Sequence, residues 1–154
     1  MSSGGKKTAG NEYDCLKIEN QLCFPLYACS KEIVRRYKPL LDRLDLTYTQ
    51  YITMMILWDI RKANVKELGE RLYLDSGTLT PLLKKLESKG YIERKRSESD
   101  ERNLIVSITD KGMDLREQAL SVPADMRKCV CLPTEEAKEL YDLLYKILDN
   151  LKGN

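Results

Sequence analysis

Histidine is absent from the sequence, and this absence excludes several kinds of active site. A Ser-His-Asp triad, a Cys-His nucleophile pair and every metal site that uses an imidazole are ruled out. Long apolar runs are absent too, since no stretch approaches the roughly 20 residues that a membrane-spanning helix needs. The first ten residues, MSSGGKKTAG, lack the apolar segment of a secretory signal. We therefore expect a cytoplasmic protein with no membrane partner and with a flexible tail at residues 1–12.

What remains is the composition of an ordinary folded domain. Of the 154 residues, 42% are hydrophobic and 32% are charged, which argues against fibrous or fully disordered chains. This length can bury a hydrophobic core, so we predict one domain over residues 13–154. The net charge of +2 identifies no partner, but residues 84–96 hold six Lys or Arg and only two Glu. Positive charge is therefore concentrated in the middle of the chain.

Cysteine occurs five times, an odd number that argues against a secreted disulfide framework. We expect free thiols at Cys15, Cys23, Cys29, Cys129 and Cys131, and we expect Cys29 to pack in the interior. The CVC pair at 129–131 suits a soft metal, but a closed zinc site needs four ligands and the sequence has no second close pair. We therefore predict no metal site and no cofactor.

Apolar residues recur with helical spacing over most of the chain. The predicted helices cover residues 16–43, Thr47 to about 61, a short stretch after Asn64, 76–89 with Gly90 as the terminating residue, Thr109 to about 128, and about 134 to the end. Pro25 is either a first-turn proline or a kink in the first of these helices.

Between residues 91 and 109 the pattern changes from helical to alternating, as in a hairpin of strands 91–96 and 104–109. Helix, tight turn, helix and hairpin in this order predict a mainly α fold with a small β part (α+β). Its architecture is a winged helix-turn-helix with N- and C-terminal dimerisation helices. A homodimer is expected because the last helix carries an apolar stripe with no other obvious cover: Leu140, Leu144, Ile147 and Leu151.

The second helix of this motif has two different faces. The leucines of the LTPLLKKL run at 79–86 form a stripe typical of a buried face. The opposite side is small, hydroxylated and basic, which suits base edges and phosphates. Alone, this pattern is more typical of an ordinary amphipathic helix. The hairpin tip RSESDER favours DNA binding, because Arg102, oriented by Asp100, can enter a minor groove.

The segment LGERLYLDSGTLTPLLKKLESKGYIERKRSESDERNLIVSIT resembles the DNA-binding core of the MarR family. It is most similar to the branch of organic hydroperoxide resistance regulators and the related staphylococcal thiol regulators. The DSGTLTPLLKKLE run and the SESDERN tip carry the match, and the resemblance covers about residues 15–125.

The resemblance implies a dimeric repressor of double-stranded DNA, with a DNA-binding core at about 47–110 and dimerisation helices at about 16–43 and 112–152. It also implies two groups of DNA-contacting residues. The recognition helix would contribute Asp75, Ser76, Thr78, Thr80 and Lys84, and the wing would contribute Asp100 and Arg102.

Cys23 lies in LCFPLY, just before a helix start if Pro25 is a first-turn proline, and helix N-termini favour the reactive thiolate. Judged by spacing alone, it is more typical of a core cysteine. The resemblance implies instead that Cys23 is the peroxide-reactive thiol, with Tyr37 and Tyr48 hydrogen-bonded to it. The oxidised thiol would then condense with another thiol, either a second protein cysteine, for which Cys129 and Cys131 are candidates, or a small cellular thiol. Pro25 replaces the small residue usual in this motif, and Cys15 and Cys29 match no family role.

Three functions are consistent with these features. The first is a repressor that senses organic hydroperoxides through Cys23 and releases DNA on oxidation. The alternative is a MarR-type repressor released by a small aromatic ligand, in a pocket partly lined by the segment 48–58. The third, a thiol peroxidase, lacks a general base other than carboxylates and leaves the recognition helix without a purpose. We therefore predict that the protein is not an enzyme and has no catalytic residues.

We expect Arg102→Ala to weaken DNA binding without unfolding the protein, because a wing-tip arginine is exposed to solvent when DNA is absent. Gel-shift titration and thermal melting of the same preparation test this expectation. Full DNA affinity in the variant would remove Arg102 from the interface.

Overall fold

The computed structural model describes residues 12–97 and 103–152. After two short 3-10 turns, Glu12–Leu16 and Ile18–Asn20, the helices are α1 (Cys23–Asp42), α2 (Tyr48–Ile60), α3 (Val65–Leu72), α4 (Ser76–Ser88), α5 (Asp110–Ala119), α6 (Val122–Val130) and α7 (Thr134–Lys152). The strands are β1 (Lys62–Asn64), β2 (Ile92–Arg96) and β3 (Leu104–Ile108). Contacts divide the chain into one unit up to Arg35 and a second from Arg36 onward. The mainly α winged-helix architecture expected from the sequence is confirmed.

Four helices of the second unit begin with the same local device, a side-chain oxygen that accepts a hydrogen bond from a backbone N–H of the first turn. The capping residues are Thr47 for α2, Asn64 for α3, Asp75 for α4 and Thr109 for α5. At α2 the device is reciprocal, because Gln50 Oε1 accepts from the backbone N–H of Thr47 at 3.0 Å. These caps explain why the predicted starts of α2, α3 and α4 agree with the structure.

Gly90 ends α4 as predicted. Its φ of 78° lies in the left-handed region that glycine adopts without strain. The backbone N–H of Gly90 donates to Glu87 O at 2.8 Å, and that of Tyr91 donates to Leu86 O at 3.1 Å. This pair of bonds is a Schellman motif, which turns the chain directly into β2.

The sheet is antiparallel, in the order β1-β3-β2. The two hairpin strands agree with the sequence pattern, whereas β1 was not predicted. Its three residues pair with β3, with Ala63 opposite Val106. So short a strand carries almost no pattern of its own, and its pairing depends on a partner about 40 residues further along the chain.

The core lies where α2, α3, α4 and the sheet meet. Its fully buried side chains include Met54, Leu57, Leu68, Leu79, Leu83, Leu86, Ile92 and Val106. The leucine stripe of α4 is thus buried as predicted. Among the described residues, no helix combines the length and apolar character that a bilayer crossing requires.

Two predicted helices have different bounds in the structure. The helix expected over 16–43 begins only at Cys23, and Pro25 lies in its first turn, where the missing N–H has no intrahelical partner to lose. The helix expected to run to about 128 is broken between Ala119 and Val122. Pro123 explains the break, because its ring would clash with the carbonyl of Ala119 and it has no N–H to donate.

Helix α5 packs directly against the backbone next to β2 at Gly112. A Cβ at this position would collide with the backbone oxygen of Tyr91 and lie 2.8 Å from Cγ1 of Ile108. The carbonyl of Gly112 accepts a buried hydrogen bond from Trp58 Nε1 at 2.9 Å. Glycine is therefore required here by close packing, and the contact fastens α2 and the sheet to α5.

We expect Gly112→Ala to destabilise the protein by about 3 kcal/mol, which lowers Tm by roughly 6–12 °C in a chain of this size. The added methyl group must push α5 away from Tyr91 and weaken the bond from Trp58. Thermal melting measures the change, with Gln118→Ala on the exposed side of α5 as the matched control. Equal Tm values for the two variants would contradict the close packing at Gly112.

Candidate nucleic-acid interface and reactive thiol

The exposed face of α4 is the candidate DNA-contacting surface. Leu79, Leu82, Leu83 and Leu86 are at most 7% exposed, which fixes the rotation of the helix about its axis. The opposite side is exposed and carries the predicted contact residues Ser76, Thr78, Thr80 and Lys84. Its small side chains allow close approach to a groove, while the hydroxyl and ammonium groups provide hydrogen bonds.

Asp75 has a structural task in addition to its predicted contact with DNA. Its Oδ1 accepts from the backbone N–H of Thr78 at 2.8 Å, and its Oδ2 accepts from the Thr78 hydroxyl at 3.1 Å. These bonds, the backbone bond foremost, lower the pKa of Asp75. The carboxylate is therefore directed at the first turn of α4, as an N-cap.

A charged pair that the sequence analysis missed joins α4 to the wing. Arg94 of β2 donates from Nε and from its terminal NH2 to Glu87 Oε2, at 2.9 and 2.6 Å, and its backbone N–H donates to Glu87 Oε1 at 3.1 Å. The bonds from the Arg94 side chain lower the pKa of Glu87. The only signal in the sequence was a pair of opposite charges on the two sides of the Gly90 turn. The pair fixes the direction of the hairpin relative to the reading helix.

The wing tip itself, with the predicted residues Asp100 and Arg102, lies outside the described residues. The strands that lead to it are described, and the backbone N–H of Ser97 donates to Asn103 O at 2.8 Å, where they approach each other. The predicted contacts of Asp100 and Arg102 with DNA stay predictions.

Cys23 is the first residue of α1, and its thiol is free and exposed. Its neighbours Leu22 and Phe24 are 71% and 43% exposed, so in the protomer it is not the core cysteine that spacing alone favoured. Cys29, expected in the interior, is exposed as well. In the single protomer, an oxidant in solution can therefore reach Cys23.

Tyr37 and Tyr48, the predicted partners of the thiol, belong to an aromatic cluster of the second unit. Their ring centroids are 4.7 Å apart, and Tyr51 lies 5.9 Å from Tyr37. Burial raises the pKa of Tyr37 and of Tyr48. Both phenols therefore stay protonated at neutral pH and can donate hydrogen bonds to an anion.

Cys129 and Cys131 lie at the end of α6, and both thiols are free and exposed. Cys131 adopts φ 52° as the C-cap of the helix, and its thiol contacts the carbonyl of Lys128 at 2.6 Å. Within residues 12–97 and 103–152, no three Cys, Asp or Glu side chains cluster in a way that could hold a metal ion.

A cavity of about 230 Å³ touches the segment that was expected to line an aromatic-ligand pocket. Its walls are Tyr51, Met55, Trp58, Asp59, Arg116, Ala119, Leu120 and Pro123. This volume is below the roughly 300–1,000 Å³ of small-molecule sites. Tyr51 and Trp58 are at most 7% exposed and serve mainly as core residues.

Comparison with known proteins shows the family to which the chain belongs. The family described as transcriptional regulator SarA/Rot matches residues 35–118. An organic hydroperoxide resistance transcriptional regulator of Bacillus subtilis is 48% identical over 141 residues, which are 92% of this chain and 96% of that protein. The solved structure of reduced AbfR bound to DNA is 33% identical, with a TM-score of 0.76, and the match covers 92% of this chain and 99% of AbfR. Disulfide-formed AbfR is 33% identical, with a TM-score of 0.66 and coverage of 88% and 93%. AbfR is a protein of Staphylococcus epidermidis.

The two tasks of Asp75 can be separated by substitution. Asp75→Asn keeps one N-cap acceptor but loses the charge, so we expect a Tm only slightly below that of the wild type and nearly full DNA affinity, whereas Asp75→Ala lowers both clearly. Because the folded-state pKa lies below the ordinary value of 3.8, the wild-type carboxylate stabilises the fold at neutral pH and loses this effect as pH falls through the lowered pKa. Melting curves and DNA titrations measure these changes. A loss of affinity in Asp75→Asn at unchanged Tm would assign the carboxylate a direct DNA contact.

Proposed function

Because the chain belongs to the MarR-type winged-helix family of transcriptional regulators, in the branch of the organic hydroperoxide resistance regulators, we propose that it is a DNA-binding repressor that releases its operator when an organic hydroperoxide oxidises Cys23. The observation that carries this proposal is the 48% identity over 141 residues to an organic hydroperoxide resistance regulator. The free thiol of Cys23 at the first residue of α1 supports the assignment of the sensing residue.

DNA binding is assigned to α4 and the hairpin. A helix is about 10–12 Å wide with its side chains, which fits a major groove of about 12 Å. In this arrangement Thr80 and Lys84 face the groove, while Ser76 and Thr78 lie at the helix N-terminus, whose dipole favours phosphate. Double-stranded DNA is the partner that best matches this surface. AbfR, a relative with 33% identity, has been solved bound to DNA in its reduced form.

The functional unit is proposed to be a homodimer. Helix α7 (Thr134–Lys152) contains no buried residue, although it carries an apolar stripe. In this stripe, Leu140, Leu144 and Leu151 are 44%, 37% and 67% exposed. A second copy can cover this apolar stripe. A symmetric dimer places two recognition helices about 34–36 Å apart, one helical turn of DNA.

The redox chemistry begins with attack of the Cys23 thiolate on a peroxide oxygen. The O–O bond breaks, the departing alkoxide takes up a proton to become an alcohol, and Cys23 becomes a sulfenic acid. A second thiol then attacks the sulfenic sulfur, a disulfide forms and water leaves. We assign the second thiol to Cys129 or Cys131, or to a small cellular thiol. Tyr37 and Tyr48, which remain protonated, would stabilise the thiolate as hydrogen-bond donors.

Release of DNA follows from the covalent step. In the proposed dimer, a disulfide at Cys23 removes the thiolate that Tyr37 and Tyr48 would stabilise. The dimer then changes the spacing of its two recognition helices, which no longer matches one turn of DNA. We infer that the protein acts as a regulator in the cytoplasm rather than as an enzyme. Each Cys23 thiol is oxidised once to cause release of DNA, so the function does not depend on catalytic turnover.

We expect Cys23→Ser to keep DNA binding and to lose release by cumene hydroperoxide. Serine preserves the size of the side chain and its hydrogen bonding, but it cannot form a sulfenic acid. A gel shift on the DNA upstream of the protein's own gene should show a half-release dose at least about tenfold above that of the wild type.

Non-reducing electrophoresis provides the control. If Cys129 or Cys131 resolves the sulfenic acid, oxidised wild type forms a disulfide-linked dimer that both Cys23→Ser and the Cys129→Ser/Cys131→Ser double variant lack. Release of Cys23→Ser at wild-type doses would refute thiol sensing. Release by phenolic compounds alone would favour the aromatic-ligand alternative.

A further inference from the structure

The chain turns from α1 into α2 through a second Schellman motif, like the one that ends α4. The backbone N–H of Asp45 donates to Asp42 O at 3.1 Å, and that of Leu46 donates to Leu41 O at 3.2 Å. We name residues 43–46 the α1–α2 corner. Both leucines of the corner are buried in the core. These bonds and this burial make the corner a rigid junction.

Asp45 is an unusual residue for its position in this corner. Its φ of 51° lies in the left-handed region, which glycine adopts without strain and other residues adopt rarely. It also lies just past the C-terminus of α1, where the helix dipole disfavours a negative charge. Two local preferences are overridden at one residue, which indicates that the carboxylate serves a contact elsewhere in the fold.

That contact is with Lys89, the C-cap residue of α4. Lys89 Nζ lies 3.1 Å from Asp45 Oδ2 and also donates to the backbone carbonyl of Asp45. Burial and, after it, the negative charge of Asp45 raise the pKa of Tyr91, so the carboxylate lies beside the chain that leads into β2. The corner therefore holds the end of the recognition helix through both a side chain and a backbone carbonyl.

The other arm of the corner reaches α6. Arg43 Nη2 donates to Ser121 Oγ at 2.6 Å and lies 3.6 Å from Asp125 Oδ2. Arg43 Nε donates to Leu40 O at 3.1 Å, which holds the guanidinium against the last turn of α1. Ser121 precedes α6, and Asp125 lies in its first turn. The guanidinium therefore joins the end of α1 to the start of the helix that carries Cys129.

Two neighbouring positions of one rigid corner thus bind two different helices. When α6 or the end of α1 moves, the end of α4 must move with it or these contacts must break. We propose that Arg43 and Asp45 couple α1 and α6 to α4, so that the rearrangement after oxidation of Cys23 displaces the recognition helix. This inference rests on the proposed function. It identifies two positioning residues that are neither the oxidised thiol nor predicted DNA contacts.

Coupling and a merely structural role have different consequences. Partly exposed ion pairs contribute little to the free energy of unfolding, so their loss should change Tm only slightly. If the pairs only stabilised the fold, their loss would change the operator affinity of the reduced and the oxidised protein alike. Coupling instead determines the ratio of the oxidised to the reduced Kd for the operator.

Two single substitutions separate the corner from α4. Asp45→Asn introduces a residue that tolerates the left-handed conformation, and Lys89→Gln removes the ammonium group. Each should lower the Kd ratio by about fivefold, while the operator affinity of the reduced protein stays within about twofold of the wild type. One change removes a negative charge and the other a positive charge. A general electrostatic effect on DNA would therefore shift the two affinities in opposite directions.

Further variants test the pair and the second arm. The double variant Asp45→Asn/Lys89→Gln should equal either single variant, because each single change already breaks the contact. Ser121→Ala removes the hydroxyl that accepts from Arg43, and it should lower the Kd ratio by about twofold. Lys89→Arg keeps the charge and should retain the wild-type ratio. Lys38→Gln is the matched control, because Lys38 pairs with Asp42 inside α1 at 2.9 Å.

Fluorescence titration of an operator duplex gives both Kd values for each full-length variant. One preparation is reduced with dithiothreitol, and the other is treated with cumene hydroperoxide. Mass spectrometry establishes that Cys23 is oxidised to the same extent in every treated preparation. A change in the Kd ratio then reports the response of α4 and not a change in thiol chemistry.

Failure of the coupling and failure of the proposed function give different results. A wild type with equal Kd values in the two redox states refutes the function itself. If the wild type loses affinity on oxidation, while Asp45→Asn and Lys89→Gln behave like Lys38→Gln, only the coupling is refuted. Equal losses of affinity in both redox states at a lowered Tm assign the corner to the fold alone and also overturn the coupling.

Discussion

Burial of the leucine stripe of α4 is the constraint on which the rest of the DNA-binding unit depends. Leu79, Leu83 and Leu86 are at most 1% exposed, and each contributes roughly 1.5–3 kcal/mol by leaving water. A helix that buries one stripe has no freedom to rotate about its own axis. The hydroxylated and basic side of α4 therefore faces solvent as a consequence of packing, before any DNA is bound.

The turn after α4 transfers this fixed orientation to the neighbouring elements. Glu87 binds Arg94 of β2, so the wing follows the helix. The hydroxyl of Thr109 donates to the carbonyl of Gly90 at 2.6 Å, and Lys111 Nζ donates to Lys89 O at 2.7 Å. Helix, hairpin and the start of α5 are joined at one point. When α4 changes position, the wing must therefore move with it. This coupling suits a switch that changes the distance between two complete winged-helix units.

The sensing and the reading parts have opposite physical requirements. In the proposed mechanism Cys23 must meet an oxidant, and it is exposed at a helix start in the first unit. The same mechanism requires Tyr37 and Tyr48 as neutral donors, and their partial burial in the second unit raises the pKa of each phenol. The proposed dimer would cover the exposed apolar stripe of α7. Reactivity, hydrogen bonding and dimer formation are thus assigned to three differently exposed surfaces.

The sequence by itself determined the features that depend on neighbours a few residues apart. The caps at Thr47 and Asn64, the terminating Gly90, the buried leucine stripe and the hairpin strands all follow from such local patterns. The motifs also sufficed to identify the family. Tertiary structure alone decided β1, the bond between Glu87 and Arg94, and the close packing at Gly112. These features depend on which distant surfaces meet, and no period in the sequence records which partner a residue contacts.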